Sequence, residues 1–160
     1  MNSIKFMKLA LLQAKLAWRA GEVPVGAVLV KNNIVISCGY NQQITRNDPT
    51  AHAEIIALRI ASKALNNYRF SKNYKIYVTL EPCAMCAGAI IHVRLGEIIY
   101  GTPSLKTGAC GSIINLFKEK KLNHHTILTG GVMKKQCEKL LKSFFIKRRN
   151  FIKNKNINIK

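Results

Sequence analysis

The segment "KIYVTLEPCAMCAGAIIHV", residues 75–93, decides the fold class. It joins a β-branched and aromatic run, typical of a strand, to an apolar run of helical composition. Pro82 lies between the two runs, and proline is favoured in the first turn of a helix. Because strand and helix patterns also alternate on both sides of this segment, the chain is predicted to be an α/β protein.

The residues before this segment predict a helix and a hairpin. Ser3 can cap the helix and Gly21 can end it. Its apolar stripe is predicted to consist of Ile4, Met7, Leu11, Ala14 and Trp18. Two β-branched runs, "VGAVLVK" and "IVISCGYN", are joined by Asn32 and Asn33, a turn suited to a hairpin.

The remaining patterns complete the order α-β-β-α-β-α-β-(α)-β-α. "AHAEIIALRIASKAL" predicts a helix with Thr50 or its neighbour as cap, and "EIIYG" and "HTILTG" predict strands. The last helix has an apolar stripe of Met133, Cys137, Leu140, Leu141, Phe144 and Phe145. This order predicts a three-layer α/β/α sandwich with a mixed sheet. We assign residues 1–149 to one domain and expect 150–160 to be a basic, polar, flexible tail.

Composition restricts the class of protein. The chain has 160 residues, of which 48% are hydrophobic, so it is not a disordered chain. Lysines interrupt the N-terminal apolar run, and the longest uncharged run that we find is too short to span a bilayer. Five cysteines with scattered spacing do not suggest a disulfide framework. The protein is therefore expected to be soluble and cytoplasmic.

The charge is strongly positive. Lysine and arginine number 26 against seven acids, which gives a formal net charge of +19. Ten basic residues and one acid fall between Lys134 and the C-terminus. This distribution is typical of a protein that binds a polyanion. The alternative is a solvated surface produced by a genome rich in lysine codons.

Cys83 and Cys86 are compatible with a redox pair, a structural zinc site or a catalytic zinc site. A thioredoxin-like pair would follow the first strand, and a structural site would need a fourth ligand that no other residue pattern supplies. His52 and Glu54 occupy another predicted helix start. If the two helix starts meet, His52, Cys83 and Cys86 supply three ligands and leave one position open, as in catalytic zinc sites.

At these residues the sequence resembles the zinc-dependent nucleoside and nucleobase deaminases. "AWRAGEVPVGAVLV", "NDPTAHAEIIALR", "YVTLEPCAMCAGAIIH", "KTGA" and "FF" followed by "KRR" resemble, in order, segments of the bacterial tRNA-specific adenosine deaminases. The resemblance implies a cytidine-deaminase-like fold with five strands, one Zn2+ per subunit and a homodimer. It also implies conversion of adenosine to inosine at the wobble position of a tRNA, an arginine tRNA by the same resemblance.

The resemblance implies a role for each site residue. Glu54 is the catalytic proton shuttle, His52, Cys83 and Cys86 bind the metal, and Asn41 hydrogen-bonds the flipped base. The residues expected to contact RNA are Arg46, Arg69, Ser104, Lys106, Phe144, Phe145, Arg148 and Arg149. Ser104 stands where an acidic residue facing the RNA backbone is expected, and its hydroxyl can accept a hydrogen bond from a ribose.

Two other functions use the same pattern. Deaminases of free cytosine, guanine or related compounds share the zinc residues but need no basic surface. A non-catalytic RNA-binding subunit would lack the glutamate, and the presence of Glu54 therefore argues against that role.

Overall fold

The computed structural model describes residues 2–157 and contains the predicted order of elements, together with one short helix at residues 43–46 that the sequence did not predict. The helices are α1 (Asn2–Arg19), α2 (Gln43–Arg46), α3 (Ala53–Ala64), α4 (Ala84–His92) and α5 (Lys134–Ile157). The strands are β1 (Gly26–Lys31), β2 (Ile34–Tyr40), β3 (Tyr74–Leu80), β4 (Glu97–Thr102) and β5 (Ile127–Gly130). A short 3-10 helix spans Leu116–Lys118, where the sequence predicts the optional helix.

The five strands form one mixed sheet in the order β2-β1-β3-β4-β5. β1 is antiparallel to both of its neighbours, whereas β3, β4 and β5 are parallel. β2 therefore runs in the same direction as β3, although β1 separates them. The carboxyl ends of β2, β3 and β4 meet at one edge of the sheet, which is where open α/β sheets carry their sites.

The hairpin between β1 and β2 turns as predicted. Asn32 and Asn33 both have positive φ, 49° and 65°, as a type I′ turn requires. Asparagine tolerates this backbone region better than other residues with a side chain do. The turn makes β2 antiparallel to β1, and the chain then passes from the carboxyl end of β2 through α2 into α3.

Helices cover both faces of the sheet, which confirms the three-layer prediction. One core joins α3 and α4 to the sheet through residues such as Ala57, Ile76 and Ile90. The other core joins α1 and α5 to the opposite face through residues such as Met7, Tyr77 and Cys137. Burial of these apolar side chains is the main stabilisation of both layers.

The predicted stripe of α1 is confirmed at Met7 and Ala14 and wrong at Ile4. Ile4 is 52% exposed, whereas the buried stripe consists of Phe6, Met7, Ala10, Ala14 and Ala17. Small residues face the sheet because α1 lies very close to β1, and a Cβ on Gly26 would lie 2.1 Å from the Ala10 carbonyl oxygen. α1 already includes Asn2, so Ser3 is inside the helix and the cap position falls outside the described residues.

Two further helix starts differ from the prediction. His52, not Thr50, is the N-cap of α3, and the Thr50 hydroxyl donates instead to Asp48 (2.6 Å). α4 begins at Ala84 with Cys83 as N-cap, so Pro82 precedes the helix and does not form its first turn. Both shifts place a predicted metal ligand at the cap position.

α5 continues to Ile157, so residues 150–157 are helical where the sequence predicts a tail. The division between a domain ending at 149 and a separate tail stays a prediction. None of the helices within residues 2–157 combines the length and apolar composition needed to cross a bilayer.

Candidate active site

The site begins with two N-cap side chains that do not cap their own helices. His52 starts α3 and Cys83 starts α4, and neither makes a capping hydrogen bond within the described residues. For α3, the Asn41 side-chain oxygen accepts a hydrogen bond from the Ala53 amide (2.9 Å) instead. Both N-cap side chains are thereby free to turn toward each other at the shared edge of the sheet.

His52, Cys83 and Cys86 form one cluster that suits a metal ion. The His52 Nδ1 atom lies 3.6 Å from the Cys83 sulfur and 3.5 Å from the Cys86 sulfur. Zinc bonds of about 2.3 Å to sulfur and about 2.0 Å to nitrogen, at tetrahedral angles, separate N and S by about 3.6 Å. The cluster therefore fits zinc with three protein ligands and one open position.

The pKa values of the two thiols shift in opposite directions. A hydrogen bond from Cys86 lowers the pKa of Cys83 to about 4, so Cys83 is a thiolate at neutral pH. The same hydrogen bond, together with burial, raises the pKa of Cys86. A thiolate at a helix N-terminus is favoured by the amide dipoles of the first turn and is the form that binds zinc.

Glu54 lies in the first turn of α3, two residues after His52, and is 3% exposed. Burial raises the pKa of its carboxyl group to about 7. A carboxyl group with a pKa near neutrality can both accept and release a proton, which is the requirement for general acid–base catalysis. Glu54 thus has the properties predicted for a proton shuttle beside the metal cluster.

A pocket of about 170 Å³ opens in front of the cluster. It is lined by Val23, Val25, Asn41, Gln43, His52, Glu54, Leu80, Glu81, Cys83 and Thr107. This is smaller than the about 300–1,000 Å³ typical of drug-sized ligands, so it suits one flat ring and not a whole nucleotide. The Asn41 oxygen is occupied by Ala53, which leaves the amide NH2 as the group that can donate to a ring.

A larger cleft of about 820 Å³ adjoins the pocket and runs along α5. The two share Val23, Leu80 and Thr107. Four of the residues predicted to contact RNA line this cleft: Ser104, Lys106, Phe145 and Arg149. The cleft is larger than the pocket, but His52, Glu54 and Cys83 line the pocket and not the cleft. The cleft therefore suits the parts of a long substrate that flank the reacting group.

The paired phenylalanines have different positions. Phe144 is buried and packs edge-on against Trp18, with ring centres 5.2 Å apart, which argues against the stacking role predicted for it. Phe145 is 43% exposed and faces the cleft. The Arg148 guanidinium lies 6.0 Å from the Phe144 ring, on the other side of α5 from the cleft.

The two remaining arginines are not part of the pocket. Arg46 belongs to α2, next to the pocket residue Gln43, and its Nε donates to the Gln42 side chain. Arg69 precedes β3 at the opposite edge of the sheet, where Phe70 bonds to Val93. A seven-residue strand is about 23 Å long, so Arg69 lies far from the metal cluster.

The sequence prediction missed Glu22, Glu81 and Thr107. Thr107 lines the pocket, and the two glutamates are buried beside it. One signal could have found the glutamates: the chain has seven acids in all, and these two interrupt the apolar runs "GEVPVG" and "LEPC". A carboxylate inside an apolar run is buried at a cost unless hydrogen bonds compensate, so its presence indicates a specific task.

The mixed sheet, the His-Cys-Cys cluster and the buried glutamate beside it define a zinc-dependent deaminase. Residues 1–102 match the family described as the cytidine and deoxycytidylate deaminase zinc-binding region. The tRNA-specific adenosine deaminase of Haemophilus influenzae is 49% identical over 146 residues, covering 91% of this chain and 84% of that protein. The chain belongs to this deaminase family, on the branch of the tRNA-specific adenosine deaminases.

Solved structures agree with this placement. One from a study of A-to-I editing by tRNA:A34 deaminases at the wobble position has a TM-score of 0.82 and 39% identity, covering 86% of this chain and 99% of that chain. A guanine deaminase from Bacillus subtilis has a TM-score of 0.58 and 40% identity, covering 62% of this chain and 63% of that chain. The cytidine-deaminase-like fold is thereby confirmed.

Proposed function

We propose that this protein deaminates adenosine to inosine at the wobble position of a tRNA anticodon and releases ammonia. The observation that carries the proposal is the base-sized pocket at the metal cluster, opening into a basic cleft of about 820 Å³. The 49% identity to the Haemophilus influenzae tRNA-specific adenosine deaminase supports the same substrate.

The chemistry follows from the residues around the pocket. His52, Cys83 and Cys86 would hold a zinc ion, which when bound would lower the pKa of a water ligand from about 16 towards about 7. Glu54 takes a proton from the water that adds to C6 of adenine and delivers it to N1. Glu54 then takes the remaining proton of the hydroxyl group added at C6 and gives it to the departing amino group, so adenosine and water become inosine and ammonia. The Asn41 amide orients the base.

The cleft residues would bind the nucleotides on either side of the flipped base. Lys106 and Arg149 supply positive charge for phosphates, and Phe145 supplies an exposed ring on which an unpaired base can stack. Ser104 adds a hydroxyl at the same wall. A free base would use none of these groups, and their grouping beside the pocket therefore favours RNA.

The assembly is proposed to be a homodimer. Ile60 on α3 and Met85 on α4 are exposed apolar side chains on the same outer layer of the molecule, and Ile113 and Ile114 are also exposed. An apolar patch on this layer would suit contact with a second copy of the chain. The family resemblance further suggests an arginine tRNA as substrate and the cytoplasm as the place of action.

A free nucleobase is the second candidate substrate. The support is the Bacillus subtilis guanine deaminase, which is 40% identical over its match. Purified protein should be mixed with an anticodon stem-loop that carries adenosine at the wobble position, and in parallel with free adenosine, cytosine and guanine. We expect inosine in the RNA reaction alone. Turnover of a free base with an unchanged stem-loop would reject the tRNA proposal and retain the zinc chemistry.

A further inference from the structure

Three of the seven acids of this chain are buried next to one pocket. Glu22, Glu54 and Glu81 are 1%, 3% and 2% exposed, respectively. Glu54 has a task in the proposed reaction, but Glu22 and Glu81 have none. In a chain of net charge +19, neither forms an ion pair with a basic residue among those that the structure describes.

The Glu81 carboxylate accepts four hydrogen bonds, all from one loop. Its Oε1 atom accepts from the backbone amides of Cys110 (2.9 Å) and Ser112 (3.1 Å). Its Oε2 atom accepts from the Ser104 amide (2.9 Å) and from the Ser112 hydroxyl. All four donors belong to the segment 104–112, which follows β4.

This segment forms one wall of the pocket and of the cleft. Thr107 lines both cavities, and Ser104 and Lys106 line the cleft. Gly108 pairs with the metal-binding Cys83, and a Cβ on Gly108 would lie 2.5 Å from the Glu81 carboxylate. The loop is therefore packed directly on the carboxylate, with no room for a side chain between them.

Glu22 makes the corresponding contacts to the facing wall. Its Oε1 atom accepts from both the amide (2.7 Å) and the hydroxyl (2.9 Å) of Thr45. Thr45 belongs to α2, which also carries the pocket residue Gln43 and the predicted RNA contact Arg46. α2 has only four residues, none of them buried, and its other hydrogen bonds among the described residues stay within residues 42–51, so the bonds to Glu22 are those that join it to another part of the fold.

We propose that Glu81 and Glu22 are positioning residues, each of which fixes one wall of the substrate pocket. Glu81 holds the 104–112 loop and Glu22 holds α2, so that Thr107 and Gln43 face each other across the pocket. This inference builds on the proposed function, since it assigns these walls the task of admitting one base and aligning its neighbours in the cleft. Two short irregular segments thereby gain the rigidity that precise positioning requires.

The two carboxylates differ in how many of their hydrogen bonds a glutamine side chain could keep. Every group around Glu81 donates, so glutamine there places an NH2 against an N–H donor in either orientation. Both bonds to Glu22 reach a single oxygen, and a glutamine oxygen can accept both. Glu81→Gln and Glu22→Gln are therefore a matched pair, with a loss expected in the first and retention in the second.

The test combines amide hydrogen exchange with steady-state kinetics on the zinc-loaded protein. In Glu81→Gln we expect the amides of Ser104, Cys110 and Ser112 to exchange at least about tenfold faster, because a buried bond to a charged acceptor is lost. The KM for the stem-loop should rise about tenfold with a smaller change in kcat, and zinc content should remain equal to that of the wild type. Amides of β1 and β3 should keep their protection.

For the other wall, Glu22→Gln should leave Thr45 exchange and KM unchanged, whereas Glu22→Ala should raise both. If Glu81→Gln does not fold, Ser112→Ala takes its place. It removes one of the four bonds to Glu81, so the loop amides should exchange faster and KM should rise, both by less than in Glu81→Gln.

Three results would overturn the proposal: unchanged exchange of the three loop amides in Glu81→Gln, faster exchange without a change in KM, or equal acceleration throughout the sheet. The last would show a general structural role. If the wild type leaves the stem-loop unchanged, the proposed function fails by that result alone. The kinetics are then repeated with the free base that is turned over, and the exchange data still decide whether the walls depend on these carboxylates.

Discussion

At the scale of single residues, the site depends on two N-cap side chains that do not cap their own helices. His52 and Cys83 occupy N-cap positions, where a side chain ordinarily bonds to its own helix. Here Asn41 bonds to the first amide of α3, and His52 is left to face Cys83 and Cys86. The buried Glu54 completes the set, with a pKa of about 7.

Glu54→Gln is expected to retain zinc and lose turnover. The amide has the size of the carboxyl group but cannot carry a proton between the attacking water, N1 and the leaving amine, so kcat should fall at least about 10²- to 10⁴-fold. Inosine formation and elemental analysis of the same sample measure the two effects. Turnover at the wild-type rate would remove Glu54 from the mechanism.

Cys83→Ala is expected to lose the metal, because two ligands hold zinc far more weakly than three. Elemental analysis after dialysis measures the zinc content. Cys38→Ala is the matched control, since Cys38 lies in β2 outside the cluster. Zinc retained in Cys83→Ala at the wild-type level would show that the ligand set is wrong.

At the scale of the elements, close approach of helix and strand explains where the small residues lie. Gly26 at the start of β1 allows α1 to pack with Ala10 and Ala14 against the strand. Gly39 in β2 does the same for α3, because a Cβ there would lie 2.3 Å from the Ala53 carbonyl oxygen. The second contact matters for the site, since α3 carries His52 and Glu54.

Gly26→Ala should destabilise the protein by about 1–3 kcal/mol, because the new methyl group overlaps backbone atoms of α1 that cannot move as a side chain would. Gly88→Ala is the matched control. A Cβ at Gly88 meets no atom within 4 Å, and alanine in a helix is favoured over glycine by about 1 kcal/mol. Thermal or urea unfolding of both variants measures the difference, and equal stability of the two would contradict the close packing of α1 on β1.

At the scale of the whole molecule, charge and shape act together. The net charge of +19 attracts any polyanion, but the cleft concentrates Lys106, Lys142 and Arg149 beside the pocket. Lys142 is already paired with Glu138 at 2.6 Å, so Lys106 and Arg149 are better placed to neutralise phosphates.

The double variant Lys106→Gln/Arg149→Gln should bind the stem-loop more weakly at low salt, with a smaller loss at high salt. Removing two phosphate contacts reduces the slope of log K against log salt by about 1.4 for single-stranded RNA. Lys63→Gln/Lys72→Gln is the control, because both lysines lie at the opposite edge of the sheet and neither forms an ion pair among the described residues. The same slope in both variants would mean that the charge acts as a diffuse field and not through the cleft.

Local patterns determined much of this protein. Asn32 and Asn33 made the hairpin predictable, and the alternation of strand and helix patterns predicted three layers, because both signals depend on neighbouring residues. The cluster of His52, Cys83 and Cys86 was predictable because metal chemistry restricts the residue types, and three candidate ligands leave a fourth position open.

Only the tertiary structure decided how these parts meet. The sequence cannot show that β1 inserts between β2 and β3, and this insertion aligns the carboxyl ends that bring His52 to Cys83. It likewise cannot distinguish Phe144 from Phe145, since both follow the same helical stripe, and packing against Trp18 buries one of them. Glu22 and Glu81 have partners 23 to 31 residues away in the chain. Periodicity and turn chemistry are properties of adjacent residues, whereas strand order, helix rotation and buried hydrogen bonds arise when distant segments pack together.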